Sequence, residues 1–362
     1  MSNKLGLYIH IPFCRSKCPY CDFFSKRANY NDYTDYAKSV RDKLIIWSEK
    51  TDKEIDTVYF GGGTPSVVGA DIICDIISCV KKHFIVSDNA EITMEANPAS
   101  GRFFDFAKVY NSGVNRVSLG LQSANNNELK QLGRIHSADD VVSAVNLIRS
   151  SGINNISLDL MIGIPEQTTE SLKYSIDFCS QLDVQHISSY MLKIEQGTVF
   201  DKKRDKYNFP DDDKTADLYL FSVDYLNEKG FEQYEISNFC KKGYESRHNL
   251  KYWKLEEYLG IGPSAHSFMD GRRFYYESSI EGFKNNNIID DGIGGNIEEY
   301  IMLGLRLKEG IDITIPEAKL SGEILRKSEK LIKSGLMELN NGHLSFTKEG
   351  FLVSNSIIAD FI

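Results

Sequence analysis

Six short runs rich in β-branched and apolar residues each precede a stretch of helical period. The runs are LGLYIHI (5–11), DTVYFGG (56–62), AEITMEA (90–96), NRVSLGL (115–121), NNISLDLM (154–161) and HISSYML (186–192). The helical stretches fall at 30–50, 69–84, 101–111, 137–150, 168–181 and 212–229. Strands alternating with helices predict parallel βαβ units with right-handed crossovers. A closed barrel needs eight such units over about 250 residues. Six units therefore predict an α/β fold built on an incomplete, splayed (β/α)6 barrel. EQYEIS (232–237) is expected to add an edge strand.

Past residue 240 the beat breaks. The stretch 270–296, rich in glycine, asparagine and aspartate, reads as a loop or connector. Helices are expected at 297–308, 314–320 and 322–334, then a hairpin in LMELNNGHLSF with Asn341-Gly342 at its turn, then a last helix over 347–360. This pattern resembles an α+β winged-helix module. The chain thus divides into a core at 1–240, a connecting segment at 241–296 and a C-terminal module at 297–362.

Charge narrows the function classes. The net charge is −9, and residues 296–362 carry eight Lys and Arg against ten Asp and Glu. Neither the chain nor its last module offers the basic surface that nucleic acid requires, so no nucleic-acid partner is expected. The start, MSNKLGLYIHIPFC, has no apolar stretch of signal-peptide length, and no run approaches a membrane span. A cytoplasmic location is the expectation. Seven cysteines without paired spacing fit a reducing compartment.

Three of those cysteines stand apart. Cys14, Cys18 and Cys21 share one short stretch after the first strand, with C-x3-C-x2-C spacing. A four-iron cubane takes cysteine thiolates as ligands. Held by three, it keeps one iron open to a small molecule. A structural zinc site with His10 as fourth ligand is the alternative, although zinc sites more often pair two C-x2-C units. Cys74, Cys79 and Cys179 lie in apolar segments and read as core residues, while Cys240 reads as a loop residue.

In a parallel barrel the loops after the strands share one face. The unusual residues of this chain fall there: the triplet after strand one, Gly61-Gly62-Gly63-Thr64-Pro65 after strand two, Glu95 at the end of strand three, Gln122 at the end of strand four and Asp159 near the end of strand five. The glycines let backbone approach a ligand; taken alone, GGGTP is equally a tight turn. Glu95 suits an ammonium, Arg134 a carboxylate and Asp159 the hydroxyls of a ribose. Together they complement an amino acid joined to a nucleoside.

These motifs resemble the radical S-adenosylmethionine (SAM) superfamily. The resemblance implies a [4Fe-4S] cluster on Cys14, Cys18 and Cys21, SAM chelated at the open iron, and an electron donor for cleavage to a 5′-deoxyadenosyl radical. YIHIPFC, GGGTPS, EANP, LGLQS, LGRIHS and SLDLMIGIPEQT are similar to the branch of oxygen-independent coproporphyrinogen III oxidases and the HemW haem chaperones. It implies SAM contacts from Tyr8, Tyr20, Gly63, Thr64, Glu95, Gln122, Arg134 and Asp159. The oxidase pattern has a further cysteine where Phe23 stands, and an N-terminal extension. The run His248-Asn249-Leu250-Lys251-Tyr252-Trp253 is typical of the chaperones, whose cargo is haem and whose partners are acceptor haemoproteins. His248 is then the expected haem ligand, with Tyr252 and Trp253 packing on the porphyrin. On chemistry alone, a hydrogen-bonded structural histidine is the competing reading. His266 is a second haem candidate, and His10 a supporting residue of the cluster loop. The alternative function is radical decarboxylation of a porphyrinogen; a third, RNA modification, is disfavoured by the acidic balance.

Overall fold

The structure, a computed structural model, describes residues 3–101, 103–315 and 321–362. The chain opens with β1 (Lys4–Ile11), α1 (Tyr30–Ser48), β2 (Glu54–Gly62), α2 (Ala70–His83), β3 (Val86–Ala96), α3 (Pro98–Gly101), α4 (Phe106–Ser112), β4 (Arg116–Gln122), α5 (Asn126–Gln131), α6 (Ala138–Ser150), β5 (Asn155–Ile162), α7 (Thr169–Gln181) and β6 (His186–Met191). Then come α8 (Val199–Lys202), α9 (Asp212–Glu228), β7 (Glu232–Gln233), β8 (Asn238–Cys240), α10 (Arg247–Trp253), β9 (Tyr258–Ile261), β10 (His266–Met269), β11 (Arg272–Tyr276), α11 (Ile280–Lys284) and β12 (Ile288–Ile293). The last elements are α12 (Ile297–Gly304), β13 (Ile311–Asp312), α13 (Ser321–Lys333), β14 (Met337–Asn340), β15 (His343–Phe346), α14 (Lys348–Leu352) and α15 (Ser354–Phe361).

Strands β1 to β6 pair in chain order and in parallel. Sequence chemistry starts the crossover helices: Asn29, Ser137 and Thr168 cap α1, α6 and α7, each in a reciprocal capping box. Along each barrel strand the two faces differ. Leu7, Ile9, Val58, Phe60, Ile92, Met94, Val117, Leu119, Leu158 and Leu160 are buried apolar residues. Tyr8, Tyr59, Glu95, Ser118 and Asp159 alternate with them and face the lumen. A parallel strand covered on both sides normally reads as a continuous apolar run. Here the interior is polar.

Several elements differ from expectation. The stretch 270–296 is not a loop: β11 and β12 extend the sheet antiparallel from β10, with Gly271 (φ 73°) in the turn between β10 and β11 and Gly292 (φ 90°) inside β12 at its register shift. Strand β9 pairs in parallel with β1, hidden in the sequence by its length of four residues. At the other end, EQYEIS supplies only β7, and β8 lies between it and β6; Cys240 is buried in β8 rather than in a loop. The helix expected over 101–111 is two short ones, and the last helix breaks near Val353. The helix expected at 314–320 lies mostly outside the described residues. The C-terminal module forms an antiparallel sheet, β13-β15-β14, beside α12 to α15, and Lys348 of α14 pairs with Asp224 of α9.

Candidate cofactor site

The carboxyl ends of β1 to β6 surround a cavity of about 420 Å³. Cys14, Cys18 and Cys21 line one side, on the loop after β1. That loop is tied down by main-chain bonds from Cys14 N to Lys26 O (3.1 Å) and from Cys21 N to Cys18 O (3.1 Å). Beneath it, His10 Nε2 bonds the carbonyl of Phe24 at 3.1 Å and its Nδ1 meets the Tyr8 hydroxyl at 3.1 Å. If Nε2 carries the hydrogen, as the carbonyl demands, Tyr8 must donate to Nδ1. Tyr8 is not among the residues that line the cavity, and its hydroxyl instead holds the His10 ring beneath the cysteine loop.

The glycine run belongs to the same device. A Cβ on Gly63 would stand 2.6 Å from the Phe13 carbonyl oxygen, and one on Gly62 (φ +107°) 2.5 Å from the His10 ring. Only glycine lets this loop lie against the cysteine loop. Thr64 follows, with Oγ1 3.5 Å from Cys14 Sγ.

Opposite the thiols stand the charged groups. Tyr59 donates to Glu95 Oε1 at 2.9 Å, and Ser118 donates to Asp159 Oδ1 at 3.0 Å. Burial pushes the Glu95 carboxyl up to about 7, with the nearby Asp159 adding to the shift. Burial also raises Asp159, to about 6. Two half-buried carboxyls that resist ionisation are suited to a cationic ligand. Arg134 donates through Nη2 to the Tyr20 hydroxyl at 2.5 Å, while its buried Nε has no partner among the described residues. A buried guanidinium N–H left open asks for an acceptor. Gln122 ends β4 with φ +70°, a left-handed conformation that turns the chain at the cavity wall.

The cavity thus gathers Cys14, Cys18, Cys21, Tyr20, Gly63, Thr64, Glu95, Gln122, Arg134 and Asp159. It adds Ser118, Met161 and Tyr190, which sequence reasoning missed. Their signal was the strand period: Met161 lies two residues beyond Asp159, and across the sheet Ser118 pairs with Glu95 and Tyr190 with Met161. Among the described residues, no three His, Cys, Asp or Glu side chains converge as ligands of a single ion. Three thiols set around an open cavity, rather than on one point, fit a multi-iron cluster better than zinc.

His248, Tyr252 and Trp253 are elsewhere. They lie on α10, which closes the amino-terminal end of the barrel, opposite the cavity. Glu91 accepts from the backbone N–H groups of Arg247 and His248, both at 3.1 Å. The His248 ring is fully buried, with Nδ1 2.8 Å from Thr57 Oγ1 and Nε2 2.8 Å from the Tyr252 hydroxyl. It stacks on Tyr59 at 5.3 Å, and burial lowers its pKa to about 3. Lys251 pairs with Asp56 at 2.9 Å, both buried. This placement does not fit an axial haem ligand: both ring nitrogens are engaged and no solvent reaches the ring. Tyr252 is half-buried, its hydroxyl bonded to His248 and its ring perpendicular to that of Tyr258 at 4.6 Å. Trp253 is half-buried, its indole N–H without a partner among the described residues. His266, by contrast, is exposed and stacks on Tyr275 at 4.6 Å.

Comparison with known proteins agrees with this geometry. Residues 8–179 match the Radical SAM superfamily and residues 296–353 the HemN C-terminal domain. The chain is 32% identical over 378 residues to the heme chaperone HemW of Mycobacterium tuberculosis, covering 98% of this chain and 94% of that one. It is 37% identical to HemW of Escherichia coli over 74% of this chain and 72% of the relative. In fold it is similar to the coproporphyrinogen III oxidase HemN of Escherichia coli, with a TM-score of 0.85 over 99% of this chain and 90% of that one at 19% identity. No helix among the described residues is long and apolar enough to cross a membrane.

Proposed function

Because the chain belongs to the HemW family of the radical SAM superfamily, we propose that it is a haem carrier. In this reading it holds a [4Fe-4S] cluster and SAM in the strand-end cavity, binds haem, and passes it in the cytoplasm to acceptor haemoproteins. It does not oxidise coproporphyrinogen. The observation that carries the reading is the donor set of the cavity: three thiols and no fourth, with Phe23 exposed at the position where the oxidase pattern has a further cysteine.

The chemistry a bound cluster would supply is one-electron reduction of a ligand chelated at its open iron, fed by an external electron donor. The chain's own residues do the rest. Cys14, Cys18 and Cys21 hold the cluster. Arg134 offers its open Nε–H to the SAM carboxylate. Glu95, whose carboxyl burial raises toward 7, would take the SAM ammonium as its counter-charge. Asp159 and Gln122 would meet the ribose, and Gly63 and Thr64 would offer backbone to the methionine portion. Tyr20 fixes the Arg134 fork, and Tyr8 and His10 brace the loop from below.

The test is anaerobic incubation of reconstituted protein with coproporphyrinogen III, SAM and a strong reductant. The substrate is expected to be recovered unchanged. Formation of protoporphyrinogen would instead establish the decarboxylase reading.

A further inference from the structure

The cavity mouth carries a surface that SAM does not account for. Phe23 is 68% exposed on the cysteine loop, and Ile135, on the loop facing it, is 66% exposed; both line the mouth. Single exposed apolar side chains need no explanation, but two lining one opening together mark a binding surface. Inside the rim, Met161 and Tyr190 continue the apolar wall.

The loop that carries Phe23 is basic in an acidic protein, and its Arg15 and Lys17 line the mouth. Residues 14–27 hold Arg15, Lys17, Lys26 and Arg27 against the single carboxylate Asp22, whereas the whole chain is −9. All four cations are exposed, and none is paired with a carboxylate among the described residues. Lys17 Nζ donates to the Phe23 carbonyl at 3.2 Å, which keeps one cation beside the aromatic ring. The complementary ligand is a flat apolar ring system with carboxylates along one edge. Haem, a planar tetrapyrrole with two propionates, has that chemistry.

We propose that haem docks on this rim, its macrocycle against Phe23 and Ile135 and its propionates on Arg15 and Lys17, directly over the cluster site. The inference rests on the haem-carrier reading and adds its place: the cluster face of the barrel, not the α10 face. It gives Phe23 a positive role, since an aromatic side chain stands where a thiol would otherwise reach the cavity. It also leaves His248 free to be structural.

The experiment is haemin titration, followed by absorption, of reconstituted wild type, Phe23→Ser, Ile135→Ser and Arg15→Glu, with iron content measured for each. Ile135 lies outside the cysteine loop, so its variant tests the rim without touching the cluster ligands. Ile293→Ser, 79% exposed on the distant edge strand β12, is the control. Each rim variant is expected to bind haem roughly tenfold more weakly at equal iron content, with the control unchanged. Equal haem affinity across wild type and all rim variants would overturn this placement while leaving the carrier reading intact. A wild type that binds no haem would overturn the carrier reading itself.

Discussion

Cys18→Ser is expected to leave a folded protein that can neither keep its cluster nor bind SAM. Anaerobic reconstitution should give about four irons per chain in the wild type and less than one in the variant. The reason is the donor count. Three thiols line the cavity, and no other cysteine among the described residues does so. Cys79, Cys179 and Cys240 are buried in the core, and Cys74 on α2 bonds the Lys108 carbonyl at 3.6 Å. With two thiolates left, no side chain takes the third place. SAM affinity should fall by more than about 100-fold, since loss of a direct ligand exceeds the usual cost of losing a residue behind one. Thermal stability should barely move, because Cys18 sits on a partly exposed loop outside the apolar core. Full iron loading of the variant would show that the ligand set is misassigned.

His248→Ala is expected to do the reverse: a large loss of stability without a specific loss of haem. The ring is fully buried, bonded to Thr57 and Tyr252, stacked on Tyr59, and in contact range of the Gly6 backbone. Removing it leaves two buried hydroxyls unpaired and opens a cavity, together worth on the order of 3 kcal/mol or more. For a chain of 362 residues the midpoint of melting should drop by roughly 4 °C or more. Acidity gives a second signature. The folded pKa of about 3 lies below the unfolded value of 6.5, so between those values the unfolded chain binds the extra proton. Stability is then full above pH 6.5 and lost as pH falls toward 3. His248→Gln, which does not titrate, should show less of this acid sensitivity. A variant that melts like wild type yet fails to bind haem would restore His248 as a ligand.

These two residues mark the limits of what the sequence shows. The cofactor site was legible because its residues stand at strand ends, and a parallel barrel gathers strand ends whatever else it does. The alternation in LYIHI, EITMEA and SLDLMI further reports a polar lumen, and the same period in NRVSLGL and HISSYML would have found Ser118 and Tyr190. The role of 248–253 was not legible. A histidine flanked by aromatic residues has the same composition whether it binds a ligand or plugs a barrel, and Thr57 and Glu91, which decide the matter, are more than 150 residues away. The sheet extension was hidden for another reason. Strands such as IIDDGI and RRFYY are short, partly exposed and flanked by glycine- and asparagine-rich segments, so composition alone reads them as loop.

The most direct measurement of the central claim is haemin titration of the anaerobically reconstituted wild-type protein. The account predicts saturable binding of one haem per chain with the cluster in place, and retention of that haem through gel filtration. Absence of saturable binding, both with the cluster loaded and with it removed, would contradict the assignment as a haem carrier.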